Sequence, residues 1–278
     1  NPASFNLGTW EDMSISLDIK GLPTISRVKV LGTNDWITSA IYYDEKGRPW
    51  ETHVRNDFLA TDNWELNKLD FVGNTEKTLS THFKNNMMTV MTTNTFTYDH
   101  QNRVLPHKQK INSQIEEIIF SNTYDELGRL VEKGVGGKIN QNRLQNINYS
   151  YNVRGWLIEI NKINDLGSDL FSYKMNFNNT EMGGTNTSLF NGNISETLWK
   201  TANDFGSTIR GYAYQYDALN RIKGGDYGVS TSQGVFNFTS GNAAYDMEIG
   251  SYDQNGNIMS LDREVRKNGY QVTNQYGY

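Results

Sequence analysis

The sequence predicts an all-β protein: repeat-built hairpins laid side by side in a long twisted sheet. Three observations carry that expectation. A six-residue phrase beginning Tyr-Asp recurs along the chain, and the segments leading into it alternate apolar with polar residues. Turn formers are abundant and Pro is scarce, with 34 Asn and 25 Gly against 4 Pro in 278 residues. A recurring phrase marks a repeat architecture, period-two alternation marks half-buried strands, and few prolines leave ladder hydrogen bonding uninterrupted.

The fullest copy is Tyr124-Asp125-Glu126-Leu127-Gly128-Arg129, followed by Leu130-Val131. Tyr43-Asp44-Glu45-Lys46-Gly47-Arg48 and Tyr98-Asp99-His100-Gln101-Asn102-Arg103 precede it. Tyr151-Asn152-Val153-Arg154-Gly155-Trp156, Tyr216-Asp217-Ala218-Leu219-Asn220-Arg221 and Tyr252-Asp253-Gln254-Asn255-Gly256-Asn257 follow. Each reads as strand, tight turn, strand. In Tyr212-Ala213-Tyr214-Gln215-Tyr216 the alternation puts three tyrosines on one face. The Asp oxygen can accept a backbone N–H two residues on and start a turn. Three residues after the Asp stands Gly or, at Asn102 and Asn220, Asn. Both tolerate the positive φ that a type I turn followed by an αL bulge requires. Asn152 suits such a turn as well as Asp does, whereas an acid catalyst could not be spelled Asn. The repeat aspartates Asp44, Asp99, Asp125, Asp217 and Asp253 therefore read as turn formers.

In chain order, residues 13–20 alternate and end at Gly21, as a half-buried strand does; residues 23–30 suggest a second, and 36–43 lead into the first turn. Residues 57–68 show little alternation and suggest a short helix or an irregular insertion. Residues 87–98 form a β-prone run. The copies at Tyr98, Tyr124 and Tyr151 lie 26 and 27 residues apart, near one hairpin plus a return strand. Pro106 cannot donate to a ladder, so an edge, a bulge or a shortened strand is expected there. The 65 residues from Tyr151 to Tyr216 hold an alternating run at 171–177 and an Asn191-Gly192 turn, hence hairpins that have lost the Tyr-Asp spelling. Residues 182–187 and 224–226 read as surface loops, and 235–239 as a short strand. Gly134-Val135-Gly136-Gly137 reads as a loop, without the helix a phosphate cradle needs. Nothing demands a domain boundary: 1–42 are leading strands, 43–257 carry the six turns, and 258–278 start a further repeat.

The net charge of -5 and scattered Lys and Arg exclude a nucleic-acid binder. The absence of Cys excludes a disulfide scaffold and thiolate metal sites. No run approaches the roughly 18 apolar residues of a membrane span, so no membrane insertion is expected. Aromatic residues make up 12% of the chain, too many for a disordered one. His53, His82, His100 and His107 have no metal-type spacing and read as surface or turn residues. No cofactor, metal or catalytic residue is assigned. A carboxylate pair across a groove could hydrolyse a glycosidic bond, and exposed tyrosines could stack on sugars; packing over neighbouring strands explains the tyrosines more simply.

The phrase Tyr-Asp-x-x-Gly-Arg-Leu resembles the YD repeat of RHS proteins, relatives of the teneurins and of insecticidal toxin-complex shells. The six copies run from Tyr43 to Asn257, most of the chain. The phrases at 149–157 and 189–195 are similar to RHS proteins among the large secreted proteins of diderm bacteria. The resemblance implies a spiral wall, secreted or on the cell surface, enclosing a C-terminal toxin or other passenger and doing no chemistry itself. Its implied partners are the flanking parts of the same polypeptide, the enclosed domain, and an outer-membrane export machine. The self-cleaving core of that family has no counterpart here, since no Asp-Pro motif of its type occurs. With neither an initiator Met nor a signal peptide, the sequence reads as a piece of a longer polypeptide. Two other classes fit the composition: a glycan-binding adhesin, and a segment captured as an export substrate.

Overall fold

The computed structural model describes residues 16–183, 187–203, 208–232, 235–238, 245–267 and 270–277. It is all-β, with nineteen strands and no α-helix among the described residues. Every strand pairing with a stated register is antiparallel. The chain divides into two compact units, 1–123 with 134–144, and 124–133 with 145–278.

In the first unit β1 (Ile25–Lys29), β2 (Trp36–Tyr43), β3 (Pro49–Asn56) and β4 (Thr61–Leu69) pair in succession. The meander continues through β5 (Thr75–Lys84), β6 (Met87–Tyr98), β7 (Val104–Ile111) and β8 (Glu117–Tyr124). Antiparallel neighbours need only tight turns between them, and that is what a chain rich in Asn and Gly supplies. Trp50, Leu66 and Leu79 form the core on one face, with Trp64 and Met91 against it. β9 (Leu130–Val135) begins among the second unit's residues and ends among the first's.

The second unit contains β10 (Gln145–Tyr151), β11 (Leu157–Ile160), β12 (Phe171–Asn176), β13 (Glu196–Thr201) and β14 (Ile209–Tyr216). β15 (Ile222–Ser232), β16 (Val235–Asn237), β17 (Met247–Tyr252), β18 (Ile258–Lys267) and β19 (Tyr270–Gly277) complete it. β15 pairs with β14, β16 and β17. Ile163, Met182, Leu198 and Ala213 form the core, flanked by Ile209, Phe236 and Phe238. Met182 lies where two glycines leave room: a Cβ on Gly211 would stand 2.6 Å from its sulfur, and one on Gly228 would stand 2.7 Å from its methyl. Fully buried Glu196 holds the Met182 segment down. Its carboxylate accepts the backbone N–H of Glu181 at 2.7 Å, that of Met182 at 2.9 Å and the Asn176 amide at 2.9 Å.

Several local expectations need correction. Residues 57–68 form neither a helix nor an insertion: a turn through Asp57 and Ala60 leads into β4. The period-two signal of Trp64 and Leu66 is diluted by polar neighbours that have cross-strand partners, Asp62 with His53 and Asn63 with His82. Residues 224–226 are no loop but lie inside β15, between β14 and β17. Glycine allows that approach, since a Cβ on Gly224 would lie 3.1 Å from the Met247 carbonyl oxygen. Met182 belongs to the core although its segment is irregular, and 184–186 lie outside the described residues. Gly134 and Val135 end β9, so only Gly136 and Gly137 leave the strand. Of the strand expected at 13–20, residues 13–15 lie outside the described residues, and 16–20 form no strand beyond one Ser16 N–H to Tyr43 carbonyl bond of 2.9 Å. The short strand expected at 235–239 is β16, with Thr239 outside the described residues. Pro106 sits in β7 facing Ser121, and the register against β8 shifts at His107/Lys108, a bulge beside the residue that cannot donate.

Candidate functional site

The most ordered constellation in each unit is its row of turns. In every Tyr-Asp copy the Asp N–H donates to the carbonyl four residues on, and the third residue after the Asp donates back to the Asp carbonyl. For Asp125 these bonds reach Arg129 at 2.9 Å and come from Gly128 at 2.9 Å. This is a type I turn closed by an αL bulge. The bulge residue has positive φ in all six copies, from 61° at Asn102 to 85° at Gly256. Just before the turns at Tyr43, Tyr98, Tyr151, Tyr216 and Tyr252 the register slips, so that Tyr216 pairs with Ile222 and Tyr252 with Ile258.

The Asp carboxylate has three partners. In Asp99 one oxygen accepts the N–H of Gln101 at 2.8 Å and that of Arg103 at 3.0 Å, and the other accepts the Arg103 guanidinium at 2.6 Å. Asp44, Asp125 and Asp217 repeat the clamp with Arg48, Arg129 and Arg221, while Asp253 uses the Asn257 amide. Desolvation pushes Asp99 upward, but the Arg103 N–H, its guanidinium and the Gln101 N–H outweigh it and bring the carboxyl to about 2. In Asp125 and Asp217 the backbone N–H of the following Arg leads the downward shift. Asn152 caps its turn with two backbone N–H groups and no ion pair.

The tyrosine joins one hairpin to the one before. The Tyr98 hydroxyl donates to the Thr75 carbonyl at 2.8 Å, Tyr151 to Leu130 at 2.9 Å, and Tyr216 to Ile194 at 2.9 Å. Tyr43 reaches Pro23 at 2.7 Å, and Tyr252 reaches Ile222. Each acceptor lies just past the preceding turn. Further rungs link the turns: Arg48 to the Asp70 carbonyl at 3.0 Å, Asn74 to Asn102 at 3.1 Å, and Asn191 to Asn220 at 2.7 Å. The guanidinium of Arg221 lies 4.4 Å from the ring centre of Tyr252, the tyrosine of the next copy.

Sequence reasoning missed a seventh such turn at Leu69-Asp70-Phe71-Val72-Gly73-Asn74. Asp70 accepts the N–H of Gly73 at 2.7 Å and of Asn74 at 2.8 Å, and Gly73 has φ of 105°. The signal was present, since Asp-x-x-Gly-Asn is also the spelling at Asp253, but Leu69 stands in the tyrosine's place. With Asp70 included, the capping residues 44, 70, 99, 125 and 152 are 26, 29, 26 and 27 apart. Asn191 caps the further turn expected near it, accepting the Asn193 N–H at 3.0 Å.

The histidines are more occupied than surface residues need be. His53 bonds Asp62 and stacks on Trp64 with centroids 3.9 Å apart. His107 lies between Phe96 and Phe120, and burial lowers its pKa. His100 is exposed in its turn. Among the described residues no group of three His, Cys, Asp or Glu could hold a metal ion, and no helix is long and apolar enough to cross a membrane. The second unit's other face carries an aromatic band of Phe171, Tyr173, Trp199, Tyr212, Tyr214 and Tyr227. Trp199 and Tyr212 stack at 5.8 Å, Tyr212 and Tyr214 at 6.1 Å, and burial raises the Tyr212 and Tyr214 phenols. Tyr227 meets Tyr212 edge to face at 5.5 Å.

Strands and turn rows together define a hairpin-repeat β-protein. No family model matches the chain, and no curated protein matches it. Among solved structures it is similar to a TcdB2-TccC3 complex, with TM-score 0.30 and 11% identity, over 95% of this chain and 16% of that one. The TcdB2-TccC3-TEV structure gives TM-score 0.31 at 11% identity, over the same 95% and 16%. A Tc holotoxin pore of Photorhabdus luminescens, bearing a TccC3 mutation, gives TM-score 0.31 at 11% identity, over 96% and 15%. The chain thus spans 15–16% of the length of those chains.

Proposed function

We propose that this chain is a stretch of wall in an RHS-type shell, part of a secreted or cell-surface polypeptide that encloses a C-terminal toxin or other passenger. The wall itself does no chemistry. The observation that carries the reading is the tyrosine latch, which ties a hairpin to the outgoing strand of the one before it through the same bond at Tyr43, Tyr98, Tyr151, Tyr216 and Tyr252. Such a latch adds hairpins to a sheet without limiting their number, as a wall requires. The recurring Tyr-Asp-x-x-Gly-Arg phrase supports the same reading. So does β1, whose five residues are all exposed. An edge of that kind needs a neighbour, here a flanking part of the same polypeptide. Export through an outer-membrane machine belongs to this reading as the route to the cell surface.

The test uses the full parent polypeptide. Limited proteolysis, with electron microscopy of the same sample, should find the region after the repeats resistant to cleavage inside a hollow particle. Tyr98→Phe combined with Tyr216→Phe should make that region cleavable. If the region is cut as fast in the parent as when expressed alone, the enclosure reading fails.

A further inference from the structure

The turn at Asn152 departs from the others twice. Its capping residue is Asn instead of Asp, and Trp156 stands where Arg48, Arg103, Arg129 and Arg221 stand elsewhere. Those arginines are neutralised by their own turn's carboxylate. Here the cation has moved two residues earlier, to Arg154, and the carboxylate is gone. Arg154 is exposed and lies over the Trp156 ring, 5.1 Å from its centre.

Beside it is a hollow of about 250 Å³ lined by Val153, Arg154, Trp156, Phe177, Leu189, Phe190 and two asparagines. Trp156 forms its floor, tilted against Phe177 at 5.0 Å, and a Cβ on Gly192 would lie 3.1 Å from the indole. Among the described residues that line the hollow there is no acid, and Arg154 is the one charged residue. A cation on an aromatic floor, with apolar walls, complements a carboxylate beside an apolar group.

The surroundings favour a chain over a small molecule. The hollow is smaller than the roughly 300–1,000 Å³ of ordinary small-molecule pockets. It also lies on a longer apolar row. Arg129 reaches the Asn152 carbonyl at 3.4 Å, which brings the Asp125 turn and exposed Leu127 alongside. Asn191 bonds Asn220, which brings exposed Leu219 to the other side. Turns two strands apart are spaced by roughly 10 Å, so this row spans roughly 30 Å, the reach of about nine extended residues. The turn itself asks for nothing apolar at its tip. Glu45, His100 and Gln254 occupy the place of Val153 in other copies, and Lys46, Gln101 and Asn255 that of Leu127 and Leu219.

We infer that the Arg154–Trp156 hollow and the apolar turn row beside it form a docking site for an extended peptide segment carrying an acidic side chain next to apolar ones. The inference goes beyond the wall reading and does not depend on it. The site binds through the Arg154 guanidinium for the carboxylate and through Val153, Phe190 and the indole for the neighbouring side chains.

Fluorescence anisotropy on the full 278-residue chain tests it, with labelled Gly/Ser-flanked decapeptides centred on Leu-Glu-Leu, Leu-Gln-Leu and Leu-Lys-Leu. The Glu peptide should bind at least tenfold more tightly than its Gln and Lys twins, and Arg154→Ala should erase that preference. Phe190→Ser should weaken the Glu and Gln peptides alike. Both substitutions are at exposed positions, and an unchanged urea midpoint checks that the variants are folded. Hexanoate serves as a small-molecule competitor. Equal binding of the Glu and Gln peptides, no binding by 1 mM, or an unaffected Arg154→Ala variant overturns the inference. Hexanoate binding as tightly as the Glu peptide also overturns it, because a small carboxylate would then suffice.

Discussion

Substituting Gly155 isolates the backbone rule on which every turn depends. Its φ is +81°, and a Cβ built there would meet nothing within 4 Å. The cost of an added Cβ is therefore conformational, with no clash contributing. An L-residue in the left-handed region costs about 1–2 kcal/mol. Replacing Gly returns about 0.4–1 kcal/mol by restricting the unfolded chain. Gly155→Ala should then destabilise by about 1 kcal/mol. A β-branched residue fits this region worse, so Gly155→Val should lose about 2–3 kcal/mol. Gly155→Asn should lose less than about 0.5 kcal/mol, because Asn tolerates this region, as Asn102 at 61° and Asn220 at 62° do in this chain. Urea unfolding of the three variants, with m-values compared to ensure the same transition, measures the series. Asn and Val costing the same would refute the steric account of the Gly-to-Asn exchange.

Three further outcomes follow from the same geometry. Tyr216→Phe should cost about 1 kcal/mol in urea unfolding, the net worth of the neutral hydrogen bond to the Ile194 carbonyl. Glu196→Gln keeps the shape but turns an N–H donor toward the donors it now accepts; a loss of about 3 kcal/mol is expected from calorimetry, and a loss under about 1 kcal/mol would mean the Met182 segment is held otherwise. Asp99, held at about 2 in the folded chain against 3.8 ordinarily, supports the fold fully above its ordinary value. That support is lost as pH falls through about 2, and a carboxyl-carbon NMR titration should show its midpoint rising in Arg103→Ala.

The enzymic alternative can draw on an acidic hollow lined by Asp226, Asp246, Glu248, Asp262 and Glu264, with Lys223 beside them. Burial raises the Asp246 carboxyl against its bond from the Tyr227 N–H, with the charges of Asp226 and Glu264 adding to the rise. Asp246 stands one residue before β17, and a raised acid there is also what burial beside like charges produces in a structural sheet.

The turns were legible because their causes are local. Asp-x-x-Gly and Asp-x-x-Asn specify a capped type I turn within six residues, and alternation such as Tyr212-Ala213-Tyr214 assigns faces without reference to anything distant. The Asp70 turn hides in the sequence because Leu69 replaces the tyrosine, which does not make a turn but latches it to the preceding hairpin. What the sequence could not determine depends on partners far along the chain. Gly224 and Gly225 look like a loop until Met247 is seen pressed against them. Met182 looks like part of an exposed loop until Gly211 and Gly228 open a notch for it and Glu196 takes up its N–H. β4 looks polar until His53 and His82 account for its Asp and Asn. In each case the residue type is set by a contact formed only after the strands have paired, so the local pattern carries the hairpin and the tertiary structure alone carries what covers it.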